Sequence, residues 1–312
     1  MKTPALKIGT RGSPLALKQA EMVEEALRAA HPELTIQRVI IRTSGDWKPE
    51  DGEKRLSEIE GGKGLFVREI EKALIDGTID CAVHSTKDMP SFLPEGLALD
   101  HMLPRANPFD AFICRKYSSF MDLPQGAVVG TTSMRRQAFL LAKRPDLKVV
   151  SLRGNVQTRI AKLDEGQVDA TFLALAGLQR LGLAAEPYVH ALDADKMLPA
   201  CGQGTISIET RDNDLPVRDL LSCLHHTETG LCTFAERVAL QILDGSCHTP
   251  IGAYARFEEG RMLFDLAVAS TDGQKFFTES AKQIVGDRAE AEDLARATAT
   301  RLKARVPADI FS

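Results

Sequence analysis

The 312-residue chain has no hydrophobic run that could cross a bilayer. Its longest apolar stretch, FLALAGL from Phe172 to Leu178, falls far short of the roughly 20 residues a spanning helix needs. It has no C-x-x-C pair and no metal-ligand spacing. Its six cysteines, Cys81, Cys114, Cys201, Cys223, Cys232 and Cys247, are scattered singly, which reads as free and mostly buried thiols rather than a disulfide framework or a zinc site. No metal is expected. Neither sign of charge dominates: 39 Lys and Arg against 43 Asp and Glu leave a formal net charge of −4, so bulk electrostatics gives no reason to expect nucleic acid as a partner. Met1 and Lys2 lead straight into strand-like LKIGT without the apolar segment of an export signal, and the expectation is a soluble, cytoplasmic protein with no membrane partner. Phosphate loops are missing as well. GGKGLF (Gly61 to Phe66) has glycine where a magnesium-binding Ser or Thr would stand, and ACGQGTIS (Ala200 to Ser207) lacks the third glycine of a dinucleotide fingerprint. There is no fixed-period repeat and no low-complexity tract.

What is present is alternation. Over the first two hundred residues, short β-rich runs alternate with amphipathic segments, the pattern of α/β units. LKIGT precedes Ser13-Pro14, an N-cap and N1 pair that predicts a helix running to about His31. LTIQRVIIR predicts a strand, LFVREIEKALIDG (Leu65 to Gly77) a helix, and IDCAVHS (Ile79 to Ser85) a strand. The theme repeats with VVGT and a helix from Ser133, LKVVSL and a helix from Asn155, then DATFLA and another helix. Crossings near Leu103–Asp110 and Met197–Thr205 join two lobes, with TISIE returning as a strand of the first. A helix from Phe234 to Leu243, three strand-like runs and an alanine-rich helix over about Asp287 to Arg305 predict a small α+β domain. The expected division is 1–103 with 204–222 as the first α/β lobe, 104–203 as the second, and 223–312 as the C-terminal domain. Trp47 to Glu60 reads as one long polar loop.

Arginine stands at helix starts, where the positive end of the helix dipole disfavours it. Arg135 and Arg136 follow the Ser133 cap, Arg153 precedes the Asn155 cap with Arg159 in the turns after it, and Arg11 precedes Ser13. Each one alone also reads as a solvated or acid-paired side chain. Together, at strand exits where open α/β sheets bind ligands, they point to a small polyanion held between two lobes. HSTKDMP puts Lys87 and Asp88 in the loop after a strand. There Asp88 is either a turn-capping residue or a carboxylate facing a developing cation. Cys247, in the turn LDGSCHTPIGAYA, is either inert or a nucleophile or covalent anchor.

IGTRGSPLALKQA, GGKGLFVREIEKAL, AVHSTKDMP, VGTTSMRRQAFL, LRGNVQTRIAKL, ALAGLQRLG, LPACGQGTISIE and GSCHTPIGA together resemble, in order and over most of the chain, the porphobilinogen deaminase (hydroxymethylbilane synthase) family. The resemblance implies two lobes like those of periplasmic binding proteins plus a third domain. That domain carries a cysteine, here Cys247, holding a covalent dipyrromethane cofactor through a thioether. It implies Asp88 as the catalytic carboxylate. Lys87, Asp88, Ser133, Arg135, Arg136 and Arg159 would bind the cofactor, and Arg11, Ser13, Gln19, Arg153 and Arg180 the substrate. The implied reaction starts when porphobilinogen loses ammonia to give an azafulvene-type cation. A terminal pyrrole α-carbon attacks this cation, and four additions are followed by hydrolytic release of hydroxymethylbilane. A monomer is implied. Two rival readings remain from the residues alone, a two-lobed small-anion binding protein without catalysis and a cysteine hydrolase. Neither requires an attached pyrrole.

Overall fold

The structure is a computed structural model that describes residues 5–45, 65–243 and 249–311. The Trp47–Glu60 loop and Cys247 lie outside the described residues. The chain opens with β1 (Leu6–Thr10), α1 (Pro14–Ala30), β2 (Ile36–Ile40), α2 (Arg68–Ile75), β3 (Cys81–Ser85) and β4 (Leu97–Met102). It then crosses to β5 (Asp110–Ile113), β6 (Val128–Gly130), α3 (Met134–Lys143), β7 (Lys148–Val150), α4 (Val156–Asp164), β8 (Ala170–Ala174), α5 (Leu175–Arg180) and β9 (Val189–Ala191). It returns as β10 (Ile206–Arg211) and α6 (Leu215–Leu221). The first sheet has the order β2-β1-β3-β10-β4 and the second β7-β6-β8-β5-β9. In each, three neighbouring strands run parallel and two are antiparallel additions.

The last part is an antiparallel meander, β11 (Ile251–Glu258), β12 (Arg261–Ala269) and β13 (Phe276–Gln283), packed with α7 (Thr227–Ile242) and α8 (Arg288–Lys303). The architecture is therefore two α/β lobes and a small α+β unit. Each sheet has an apolar core, the second shared with Ala267 and Ala269 of β12. Ile8, Val83, Ile206 and Ile208 meet Val23 and Leu27 of α1, Phe112, Phe120 and Phe172 pack under α3, and Phe264 and Leu266 face Ala235, Ala239, Leu294 and Ala295. At about 2 kcal/mol for each fully buried large apolar side chain, these interiors are what commit the alternating pattern to sheets covered by helices.

Element boundaries moved where tertiary packing outweighed local signals. α7 opens at Thr227, seven residues before the Phe234 start that the sequence suggests, because His226 caps it and its first turns bury Cys232 in the third core. α2 opens at Arg68 rather than Leu65. Four short elements, β4, β5, β9 and α6, had no distinct sequence signal. All run four to seven residues except the three-residue β9.

The two crossings lie against each other. Gly202 and Gly204 hold φ of +69° and +91°. A Cβ on Gly204 would sit 2.5 Å from the Ala106 carbonyl oxygen, and one on Gly202 would sit 2.8 Å from the Thr86 methyl. The glycines of ACGQGTIS thus serve a left-handed turn that lets the second crossing press on the first.

Candidate active site

The C-terminal ends of β1, β3, β6 and β7 open onto one cavity of about 680 Å³ between the lobes. Each parallel strand delivers its following turn there, which explains why the helix-start arginines converge. Arg11, Arg135, Arg136, Arg153 and Arg159 line it with Lys87, and the one acidic side chain on its described wall is Asp88. Six cations against one carboxylate make the cavity strongly attractive to anions. Ser13, Ser133 and Asn155 also line it, while their side-chain oxygens cap the backbone N–H groups of Ala16, Arg136 and Thr158. Each serine is thus part of the cap and of the wall. Arg11 also stacks on Phe66, 4.4 Å from the ring centre, and the Arg159 Nε donates to the Gly154 carbonyl at 2.9 Å.

Arg135 and Arg136 do not simply reach into the cavity. Both turn back to Asp110, fully buried at the start of β5. The Arg135 Nη2 donates to its Oδ2 at 2.7 Å, and the Arg136 Nε and Nη2 donate to its Oδ1 at 3.0 and 2.7 Å. Further donations go to the Leu198 and Phe172 carbonyls, both at 2.7 Å. Burial alone would raise the pKa of Asp110, but the two guanidiniums overcome it and hold the carboxyl well below its usual range. One carboxylate between two guanidiniums leaves one net positive charge at this wall. In the sequence Asp110 only opens the short apolar run DAFI, which nothing there sets apart.

Two residues expected at the substrate, Gln19 and Arg180, are not on the cavity wall. Gln19, 2% exposed, exchanges hydrogen bonds with Ser85 at 2.8 and 3.1 Å, and only Ser85 of the two lines the cavity. Arg180, at the end of α5, donates from Nη2 to the Gly204 carbonyl at 2.7 Å and is not on the cavity wall. Burial lowers its pKa to about 10. The physical reason is the brevity of α5: its six residues bury their apolar face and leave Arg180 over the crossing rather than the cleft.

Lys87 is half-buried, with its Nζ 3.3 Å from the Gln203 Oε1. Burial lowers its pKa to about 8, with Arg136 and Arg135 adding to the fall and Asp88 and Asp110 opposing it. Asp88 accepts no hydrogen bond from any described side chain, so its lone pairs face the cavity unspent. Leu240 and Thr249, on either side of the segment that contains Cys247, also line the cavity.

Behind the wall, Glu236 of α7 is fully buried and ties both crossings to the third sheet. It accepts from the Arg105 Nη1 and Nη2 at 2.6 and 3.2 Å, the Gly202 N–H at 2.6 Å and the Ala255 N–H at 2.8 Å. Nothing in the sequence distinguished this pair, whose partners lie 131 residues apart.

The model of the "Porphobilinogen deaminase, dipyromethane cofactor binding domain" matches residues 6–219, and that of the "Porphobilinogen deaminase, C-terminal domain" matches residues 230–304. The chloroplastic porphobilinogen deaminase of Oryza sativa subsp. japonica is 50% identical over 284 residues, covering 89% of this chain and 78% of that protein. The porphobilinogen deaminase of Nitrobacter winogradskyi is 47% identical over 308 residues, 98% of this chain and 95% of that one. Among solved structures, a putative methionine-binding lipoprotein from Bacillus subtilis aligns at 14% identity with a TM-score of 0.45, covering 72% of this chain and 92% of that one. By its matched domains and its close relatives over nearly full length, the chain belongs to the porphobilinogen deaminase family.

Proposed function

We propose that the chain is a hydroxymethylbilane synthase that condenses four porphobilinogen molecules head to tail, with release of ammonia, on a covalently held dipyrromethane primer. Hydroxymethylbilane is then released by hydrolysis. Beyond family membership, the carrying observation is the cavity wall of six cations and the single carboxylate Asp88. A dipyrrole bearing acetate and propionate groups fits that wall. The cations match its carboxylates, and the Arg135 Nε, buried without a hydrogen-bond partner, leaves a donor to be satisfied. When bound, the primer supplies the free pyrrole carbon to which the first porphobilinogen is joined.

In this reading Lys87, Ser133, Arg135, Arg136 and Arg159 hold the primer's acids, and Arg11, Ser13 and Arg153 grip those of the incoming porphobilinogen. Asp88 faces the positive charge that develops as ammonia leaves porphobilinogen and hydrogen-bonds pyrrole N–H groups. A carboxylate fixed on a turn performs this without reorganising. Gln19 acts through Ser85, and Arg180 through the crossing at Gly204. Cys247 is the proposed anchor. The functional division is 1–103 with 204–222, then 104–203, then 223–312, placing the cleft between the first two. We further propose a cytoplasmic monomer that acts on small molecules without nucleic-acid or membrane partners. Among the described residues no helix is long and apolar enough to cross a membrane.

Intact mass under denaturing conditions tests the reading. The wild type is expected to carry an adduct of two linked pyrroles that Cys247→Ala lacks. An unmodified wild-type mass, unchanged after incubation with porphobilinogen, would favour a binding protein and overturn the assignment.

A further inference from the structure

The two halves of the cationic wall come from different lobes, Lys87 from the turn after β3 and Arg135 and Arg136 from the start of α3. One side chain touches both systems. Gln203, 1% exposed, lies on the second crossing, and neither the sequence reading nor the proposed reaction gives it a role. Its Oε1 accepts from the Lys87 Nζ at 3.3 Å, and its Nε2 donates to the Asp110 Oδ1 at 3.1 Å and to the Pro108 carbonyl at 2.7 Å. Its backbone is pinned as well: the carbonyl accepts from the Arg105 Nε at 2.9 Å, and glycines with positive φ stand on both sides.

We infer that Gln203 is a positioning residue that fixes Lys87 of the first lobe relative to the Asp110–Arg135–Arg136 cluster of the second. The inference rests on the reading of the cavity given above. The chemistry of the position suits an amide. An ammonium on one side needs an acceptor, and a carboxylate on the other needs a donor. The Gln side chain presents both on one planar group that stays neutral at every working pH, unlike an imidazole, and Gln has the reach. With the Gln203 donation Asp110 accepts four hydrogen bonds, two from Arg136 and one from Gln203 on Oδ1 and one from Arg135 on Oδ2. Gln203 gives the Lys87 ammonium a neutral acceptor in place of that carboxylate, so the Lys87 charge is not offset there. An apolar residue would leave the ammonium without its acceptor. A glutamate would set a second carboxylate against Asp110.

The experiment compares wild type, Gln203→Met and Gln203→Glu by thermal unfolding, intact mass and the pH dependence of porphobilinogen turnover. The groups facing Lys87 are Asp88 on its own turn, Asp110 on β5, and Arg135 and Arg136 on α3, and none is altered. Both variants are expected to fold and to retain the pyrrole adduct. Gln203→Met is expected to lower kcat about tenfold, the scale of one hydrogen bond to a charged group, and to move the alkaline fall of kcat/KM to lower pH. Gln203→Glu is expected to move that fall to higher pH. In a double-mutant cycle, Lys87→Met with Gln203→Met should be no slower than Lys87→Met alone. Unmoved profiles in both variants, effects that multiply in the double variant, or loss of folding in both would overturn the inference. A wild type without adduct or turnover would instead sink the functional reading itself.

Discussion

Asp88 and Asp110 stand near the same cavity and are used in opposite ways. Asp110 is fully buried and accepts four hydrogen bonds, three of them from Arg135 and Arg136, so its charge is committed to holding two arginines. Asp88 lines the cavity with no described side chain donating to it, so its charge is available to a ligand. Removing Asp88 therefore costs the fold little, while the cavity loses the one carboxylate on its described wall. Asp88→Ala is expected to lower kcat roughly 10²–10³-fold, the loss typical of one preorganised electrostatic group, with an unchanged thermal transition. Turnover within a few-fold of wild type would remove Asp88 from its role. The place of Asp88 in a turn after a strand was legible from HSTKDMP because it is a local property. Asp110 was not, because its partners Arg135 and Arg136 come from 25 and 26 residues further along the chain.

Among the elements, α2, β3 and β10 enclose an ionisable cluster that the proposed chemistry does not use. Glu209 accepts from or donates to His84 through Oε2 and Nε2 at 3.0 Å, and Glu71 sits close by on α2. The Oε1 atoms of both glutamates are buried without a hydrogen-bond partner. Burial and then the neighbouring Glu209 raise the pKa of Glu71 to about 7, against the opposing pull of His84 and Arg68. Between its ordinary value of 4.5 and about 7, the folded chain keeps a proton that the unfolded chain has released. Stability therefore falls as pH rises through that window and stays lower above it. Glu71→Gln removes the dependence. In urea titrations it is expected to exceed wild type by about 2 kcal/mol at pH 8 and to match it near the lower end of the window. An equal difference at both pH values would show that Glu71 is ionised throughout. Helix periodicity placed α2 within three residues, but it could not show that one of its glutamates faces another on β10, since the polar face of a helix carries no label of what covers it.

At the scale of the whole molecule, polar contacts link the three units, and the core under α3 also runs into the third sheet through Ala267 and Ala269. Glu236 takes donors from both crossings' neighbourhood and from β11. Arg237 and Gln241 of the same helix donate to carbonyls of Pro90 and Ser91, just past Asp88. α3 meets the third sheet through Phe139 and Phe276, ring centres 4.9 Å apart. Neutralising Glu236 strands the Arg105 guanidinium in a dry junction. Glu236→Gln is expected to cost about 3 kcal/mol, seen as a lower thermal transition, and to slow turnover because the Gly202–Gln203 turn loses its anchor. A transition within one degree of wild type would show that the junction does not depend on this charge.

The sequence by itself determined most of the strands and helices, β4, β5, β9 and α6 apart, because period-2 and period-3.6 apolar patterns, Ser13, Ser133 and Asn155 caps and the Pro14 start are all short-range properties. It also determined that cations gather at strand exits, since each arginine lies within four residues of the helix cap that marks it. Only the tertiary structure decided which charges are spent and which remain for a ligand. Arg135 and Arg136 are tied to Asp110, Lys87 to Gln203, and Arg180 to Gly204. Those pairings join residues 24 to 116 positions apart, and the energy that selects them comes from burial and from geometry across the two crossings, which no local pattern encodes.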